Sequence, residues 1–186
     1  TVYVKFPMHD DLGKLSHVDH SKLYFLIWTT TIWTLPGNLG ISLHPRESYA
    51  LVQADNGEIY IVAEALAEKV MRVGGIGKYE ILETHPGSFF ENMLADHPFL
   101  PKTSRLLNAE YVTMDSGTGC VHTAPGFGAD DYQTCRRYNM DLIVPVDDRG
   151  FQTEAAGKFA GLRYDVSNKA IYDDLVSTGA LFASEE

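Results

Sequence analysis

Two stretches hold nearly all the side chains that could do chemistry. The first, "WTTTIWTLPGN" from Trp28 to Asn38, sets Thr29, Thr30, Thr31 and Thr34 beside an asparagine, directly after an apolar run. Such a row offers donors and acceptors without adding charge, which suits the holding of an ester, an alcohol or a water. Threonine is also a strong β-former, so the same residues would serve simply to finish a strand. The second stretch, "DSGTGCVHTAPGFGADDY" from Asp115 to Tyr132, ends a short strand on His122 and Thr123 and turns at Pro125-Gly126. A helix then opens at Gly128 or Ala129, with Asp130 and Asp131 in its first turn.

A carboxylate in that first turn lies near unsatisfied N–H groups and the positive end of the helix dipole, an arrangement expected to hold its pKa down. It would make a poor general base near neutrality and a good anchor for a cation such as an ammonium group. Helix capping is the alternative reading of the same spacing. His122, at a strand end, reads as a hydrogen-bonded wall residue, which is functional if it limits the size of a pocket.

Other chemistries fit less well. The glycines at 117, 119, 126 and 128 resemble a phosphate cradle, yet no Lys-Ser/Thr pair follows and the spacing misses a dinucleotide fingerprint. No serine sits in a G-x-S-x-G elbow, so a hydrolase built on this chain would use water as the attacking group. His17 and His20 are spaced H-x-x-H with Asp10, Asp11 and Asp19 nearby, but their loop shows neither the periodicity of a firm element nor a cysteine ligand. The expectation is therefore no metal and no cofactor. Cys120 in an apolar strand and Cys135 in a helix read as buried, unreactive thiols. Without C-x-x-C spacing or a disulfide framework, a reducing, cytoplasmic setting is expected.

The elements that must position these residues are mostly strands. The 186 residues, 45% of them hydrophobic, suffice for one domain spanning 1–186. The longest apolar run, "LYFLIW", is too short to cross a bilayer. A formal net charge of -10 argues against an extended grip on nucleic acid and leaves Arg136-Arg137 as the densest basic pair. "FPMHDDLGKLSHVDH" reads as a polar lead-in loop. "LYFLIW", "GISLHP", "SYALVQA", "EIYIVAE", "KYEILET", "EYVTMD", "GCVHTA" and "DLIVPV" all read as strands, and Asp55-Asn56-Gly57 supplies a hairpin turn. Helices are predicted over "EALAEKVMRV", stopping at Gly74-Gly75, and over "DVSNKAIYDDLVSTG", capped by Asp165 and ended by Gly179. The mixture predicts an α+β fold: a bent or barrel-like mixed β-sheet core with peripheral helices.

"WTTT" followed by "WTLPGN" and "GISLHP", then "GTGCVHTAPGFGADDY", closely resembles the connective-peptide editing insertion of bacterial-type isoleucyl-tRNA synthetases, and a looser similarity covers nearly the whole chain. The resemblance implies the class I synthetase editing-domain fold and post-transfer editing, in which water hydrolyses the ester of valyl-tRNA made by mistake on the isoleucine tRNA. It implies that Thr29, Thr30 and Thr31 line the pocket, with Thr30, Thr31 and Asp131 the catalytic group. Asn38 would help to position substrate or water. Asp131 would anchor the substrate ammonium, and His122 would narrow the pocket against isoleucine. The expected partners are the valine-carrying acceptor end of the tRNA and the remainder of a synthetase chain, with no membrane and a monomeric state. HIGH-type and KMSKS-type motifs are absent, so the chain is expected to be an excised insertion without synthetic or anticodon-binding domains. Ile32 stands where the family usually has proline, and losing that fixed φ is expected to loosen the threonine loop. A non-catalytic module that binds the tRNA acceptor end is the alternative function.

Overall fold

Alternation dictates the first strand. In β1 (Val2–Asp10), Val2, Val4, Phe6 and Met8 are buried at every second position. This corrects the lead-in loop: its first five residues belong to β1, and the chain turns only at Asp11, whose carboxylate accepts the backbone N–H groups of Gly13 and Leu15. The computed structural model describes residues 1–185.

The other strands are β2 (Leu23–Thr29), β3 (Gly40–Leu43), β4 (Ser48–Ala54), β5 (Ile59–Ala63), β6 (Tyr79–Pro86), β7 (Leu94–Asp96), β8 (Thr103–Asn108), β9 (Val121–Thr123) and β10 (Leu181–Ser184). They form one mixed sheet of ten strands in the order β10-β1-β7-β8-β3-β9-β2-β5-β4-β6. Because β1 also pairs with β2, in register from Val2 opposite Thr29 to Pro7 opposite Tyr24, the strands from β1 round to β2 close into a barrel. The hairpin β4–β5 and the strand β6 extend the sheet beyond β2. Asp55-Asn56-Gly57 makes the hairpin turn as read, with Gly57 at φ 88°. Phe6, Phe25, Ile27, Ile41 and Leu106, all without exposed surface, fill the interior.

Helices α1 (Ala67–Val73), α2 (Ala129–Arg137) and α3 (Tyr164–Thr178) lie outside the sheet. Helix α1 follows a 3-10 turn over Glu64–Leu66, in which Leu66 is buried; the helix itself buries Ala67, Val70 and Met71 and stops at Gly74. Helix α3 buries Ile171 and Leu175 and ends on the left-handed Gly179. Asp165 is not its cap: Arg163 occupies that position, and Asp165 sits in the first turn, where a carboxylate still complements the dipole.

Two predicted strands are absent. The segment 110–115 runs through turns, with Thr113 bonded to Asp115 locally instead of to a neighbouring strand. The segment 141–146 leaves Leu142 and Val144 exposed and contributes one isolated bridge, Val146 to Gln152; Pro145 has no N–H to give a ladder. Apolar runs alone therefore overstate strands where no partner is within reach. Among the described residues, no helix is long and apolar enough to cross a membrane.

Candidate functional site

The two chemistry-bearing stretches leave the barrel side by side. Trp28, near the end of β2, lies opposite Val121 of the parallel strand β9, while His122 lies opposite Ile41 of β3. Beyond Thr29 the chain enters a 3-10 helix over Ile32–Gly37, and beyond Thr123 it turns into α2. The two exits wall a cleft of about 340 Å³. Thr29, Thr30, Thr31, His122 and Asp131 all line it, together with Trp28, Trp33, Thr34, Val121, Ala124 and Phe127.

The threonine loop is held by its own hydroxyls. Thr31 N–H donates to Thr29 Oγ1 at 3.1 Å, and Thr34 Oγ1 donates to the Thr31 carbonyl at 2.7 Å while lying 3.0 Å from Thr31 Oγ1. Those contacts tie Thr31 down although Ile32, and not a proline, follows it. Thr29 is buried; Thr30 and Thr31 are open to the cleft. Trp33 adds an outer wall: its backbone N–H donates to Asn168 Oδ1 of α3 at 2.8 Å, and its ring meets Phe127 edge-on with centroids 5.1 Å apart.

Asp131 is half-buried in the first turn of α2, as read. Its Oδ2 accepts the Ala124 N–H at 3.0 Å, and Tyr111 donates to its Oδ1 at 3.4 Å. Among the described residues no cation lies within ion-pair distance of it. The expected depression of its pKa is overturned. Burial raises it, with Asp130 adding repulsion, and these outweigh the opposing bonds from Ala124 and Tyr111. The reason is that desolvation acts on the whole charge, whereas a short exposed helix offers only part of one. An arriving cation would reverse the balance.

Asn38 does not reach the cleft. It is fully buried behind His122, where its Nδ2 donates to the Gly40 carbonyl at 3.0 Å and to His122 Nδ1 at 2.8 Å, and its Oδ1 accepts from Ser104 Oγ at 2.6 Å. The Gly40 carbonyl can only accept, so it fixes which way the amide points. His122 Nδ1 must then be the bare nitrogen, and Nε2–H donates to Thr34 Oγ1 at 3.0 Å. Burial pushes the His122 pKa down to about 4, with the charge on Lys102 acting in the same direction. The ring is a neutral wall at physiological pH.

Comparison with known proteins decides the family. No family model matches the chain. The isoleucine–tRNA ligase of Caldicellulosiruptor bescii is 46% identical over 188 aligned residues, covering 100% of this chain and 20% of the ligase. That of Caldicellulosiruptor saccharolyticus is 47% identical with the same coverage. This chain belongs to the isoleucyl-tRNA synthetase family. It spans 20% of the length of these curated relatives. Among solved structures, the crystal structure of GlLeuRS-CP1 matches with a TM-score of 0.78 at 18% identity, over 100% of this chain and 98% of that one. The P. knowlesi cytosolic leucyl-tRNA synthetase editing domain matches with a TM-score of 0.73 at 13% identity, over 98% and 96%. The fold of this synthetase segment is thus that of the class I editing domains.

Thr34 of the cleft and two residues that bond to Asn38 and Asp131 from behind it, Ser104 and Tyr111, were given no part in the site by the sequence. Thr34 was legible, standing three positions after Thr31 in the same run. Ser104 and Tyr111 carried no signal, because only the closure of the barrel brings them near the two motifs. The glycines also find their reason here. Gly117 has φ 73°, and a Cβ there would lie 2.0 Å from the Trp28 ring nitrogen, so this glycine permits close approach of backbone to indole. The histidines of the H-x-x-H pair diverge, His17 to Glu83 at 2.6 Å and His20 to Asp11 at 2.8 Å. Among the described residues no group of three or more His, Cys, Asp or Glu is gathered to hold a metal ion. Both cysteines are buried as read, and burial raises the Cys135 thiol to about 11.

In chemical terms the cleft brings together a carboxylate that has no cation partner among the described residues, the exposed hydroxyls of Thr30 and Thr31, and a neutral ring. That combination suits a ligand with an ammonium group on one side and ester or ribose oxygens on the other.

Proposed function

We propose that this cleft carries out post-transfer editing, hydrolysing the ester of valine attached in error to the isoleucine tRNA. The observation that carries the reading is Asp131, a half-buried carboxylate without a cation partner among the described residues, lining the same cleft as Thr30, Thr31 and His122. Its ligand is the α-ammonium of the misattached residue. Placing that group beside Asp131 directs the ester towards the hydroxyls of Thr30 and Thr31. A water attacks the carbonyl carbon, the bond to the ribose oxygen breaks, and that oxygen leaves with one of the water's protons while the other is lost to solvent as the new carboxyl group ionises. The rate gain is mainly positional, since an aminoacyl ester is already reactive and needs chiefly a water held in line.

His122 supplies selection. A hydrophobic pocket discriminates weakly between side chains that differ by one methylene, and isoleucyl-tRNA synthetase is itself the standard instance of a second site meeting that need. A neutral, fixed imidazole shortens the side-chain pocket without repelling the substrate ammonium. No cofactor is required by this route, and the acting partner is the acceptor end of the tRNA, met by a single copy of the chain.

The test is to incubate the chain at high concentration with valyl-tRNA of the isoleucine acceptor and to follow ester loss with and without a chelator. Release that survives chelation and disappears in Asp131→Ala is expected. Tight binding without release would replace this reading with that of an acceptor-end binding module. Sensitivity to the chelator would overturn it in favour of a metal-dependent hydrolase.

A further inference from the structure

We propose that Thr34 is a positioning residue that fixes the Thr31 hydroxyl as a hydrogen-bond acceptor towards the cleft, at the end of a buried relay that starts from the Gly40 carbonyl. The inference rests on the editing reading and deepens it by assigning one threonine to the attacking water.

The polarity follows from counting protons. The Gly40 carbonyl forces the Asn38 amide to donate, so Asn38 donates to His122 Nδ1 and His122 Nε2–H donates to Thr34 Oγ1. Thr34 has one hydroxyl proton, and its shortest acceptor is the Thr31 carbonyl at 2.7 Å. Thr34 Oγ1 therefore faces Thr31 Oγ1, 3.0 Å away, with a lone pair, and the Thr31 proton turns to it as the nearer of two acceptors, Thr29 Oγ1 lying at 3.4 Å. What Thr31 shows the cleft is oxygen lone pairs. Such a group accepts from a water's O–H and holds that water with its own lone pair aimed at the ester carbon; it does not donate to the ester carbonyl. Thr30, on the same loop, makes no side-chain hydrogen bond to protein among the described residues and keeps a free donor. Ser104, without exposed surface, backs the relay by donating to Asn38 Oδ1 at 2.6 Å, leaving Asn38 no freedom to flip.

Two measurements test this. In the chain labelled with nitrogen-15 at histidine, the His122 ring shifts report its tautomer whether or not the chain is active. The Nε2–H form is expected from pH 6 to 8, and the Nδ1–H form would overturn the relay. In deacylation of valyl-tRNA of the isoleucine acceptor, Thr34→Val is expected to lower kcat about tenfold with KM nearly unchanged, the size of one misdirected hydrogen bond. Thr34→Ser, which keeps the hydroxyl, is expected to recover most of the loss. Equal kcat in the valine and serine variants would overturn the positioning role, as would a loss confined to KM. If the unaltered chain shows no deacylation, the editing reading falls while the ring shifts still decide the relay.

Discussion

Asp131 Oδ2 accepts the backbone N–H of Ala124 at 3.0 Å, so the carboxylate that faces the threonine loop also closes the turn between β9 and α2. One residue thus serves the fold with one oxygen and leaves the other towards the cleft and Tyr111. The two roles can be separated by substitution. Asn at 131 can still accept from Ala124 but carries no charge. Asp131→Asn should keep the wild-type urea midpoint and lose about 30- to 150-fold in deacylation, the equivalent of about 2–3 kcal/mol for a charge-assisted contact. Asp131→Ala should lose stability as well. Full activity in the asparagine variant would remove the ammonium anchor from the mechanism.

Removing the His122 ring opens the floor of the cleft. On the proposed editing reading the parent chain is expected to reject isoleucyl-tRNA and His122→Ala to accept it, at a rate within about tenfold of its valyl-tRNA rate, because one added methylene is worth only about 1–3 kcal/mol of discrimination. It should also be less stable by roughly 1–3 kcal/mol, since Asn38 Nδ2 and Thr34 lose a buried partner. Steady-state deacylation of both esters checks this, and unchanged rejection of isoleucyl-tRNA would show that the ring is not the gate.

Two buried neutral histidines set the acid response. Burial lowers the His122 pKa to about 4 and the His97 pKa to about 3, from an unfolded value of 6.5. Between those values the unfolded chain binds the protons that the folded chain refuses. Stability is therefore whole above pH 6.5 and falls as pH drops towards the folded values, by roughly 2–3 kcal/mol per ring at pH 4.5. His97 Nε2–H donates to the Leu35 carbonyl at 2.8 Å while Nδ1 accepts from Phe99 and Leu100, a pattern that glutamine can copy without titrating. His97→Gln should flatten part of the slope in urea midpoints measured from pH 7 to pH 4.5. An identical slope would take His97 out of the acid response.

Local pattern carried the sequence reading a long way. The apolar run into Trp28, the Asn-Gly hairpin and the glycine stop after α3 each depend on neighbours in sequence, and each is found where it was read. The cleft itself was legible because both of its walls lie in contiguous motifs. What could not be read was whatever depends on closure. The strand β7 has only three residues and no periodicity of its own. Asn38 looked like a cleft residue until the barrel turned it inward onto Gly40 and Ser104. The raised pKa of Asp131 has the same origin, since the helix-end argument sees the dipole while only the folded cleft supplies the desolvation.

Gly117 tests the claim that the glycines of the second motif exist for steric reasons. At φ 73° any other residue costs about 1–2 kcal/mol in backbone strain. An added methyl would also meet the Trp28 indole at 2.0 Å and push a wall of the cleft out of place. Gly75 separates the two costs, because it has nearly the same φ, 71°, but nothing within 4 Å of an added Cβ. Gly75→Ala should lose only the backbone share, whereas Gly117→Ala should lose about 1–3 kcal/mol more through overpacking. The Gly117 variant alone should also shift tryptophan fluorescence and weaken valyl-tRNA deacylation. Equal losses of stability in the two variants, with unchanged fluorescence, would mean that Gly117 is there for its backbone angle and that the indole contact has no energetic weight.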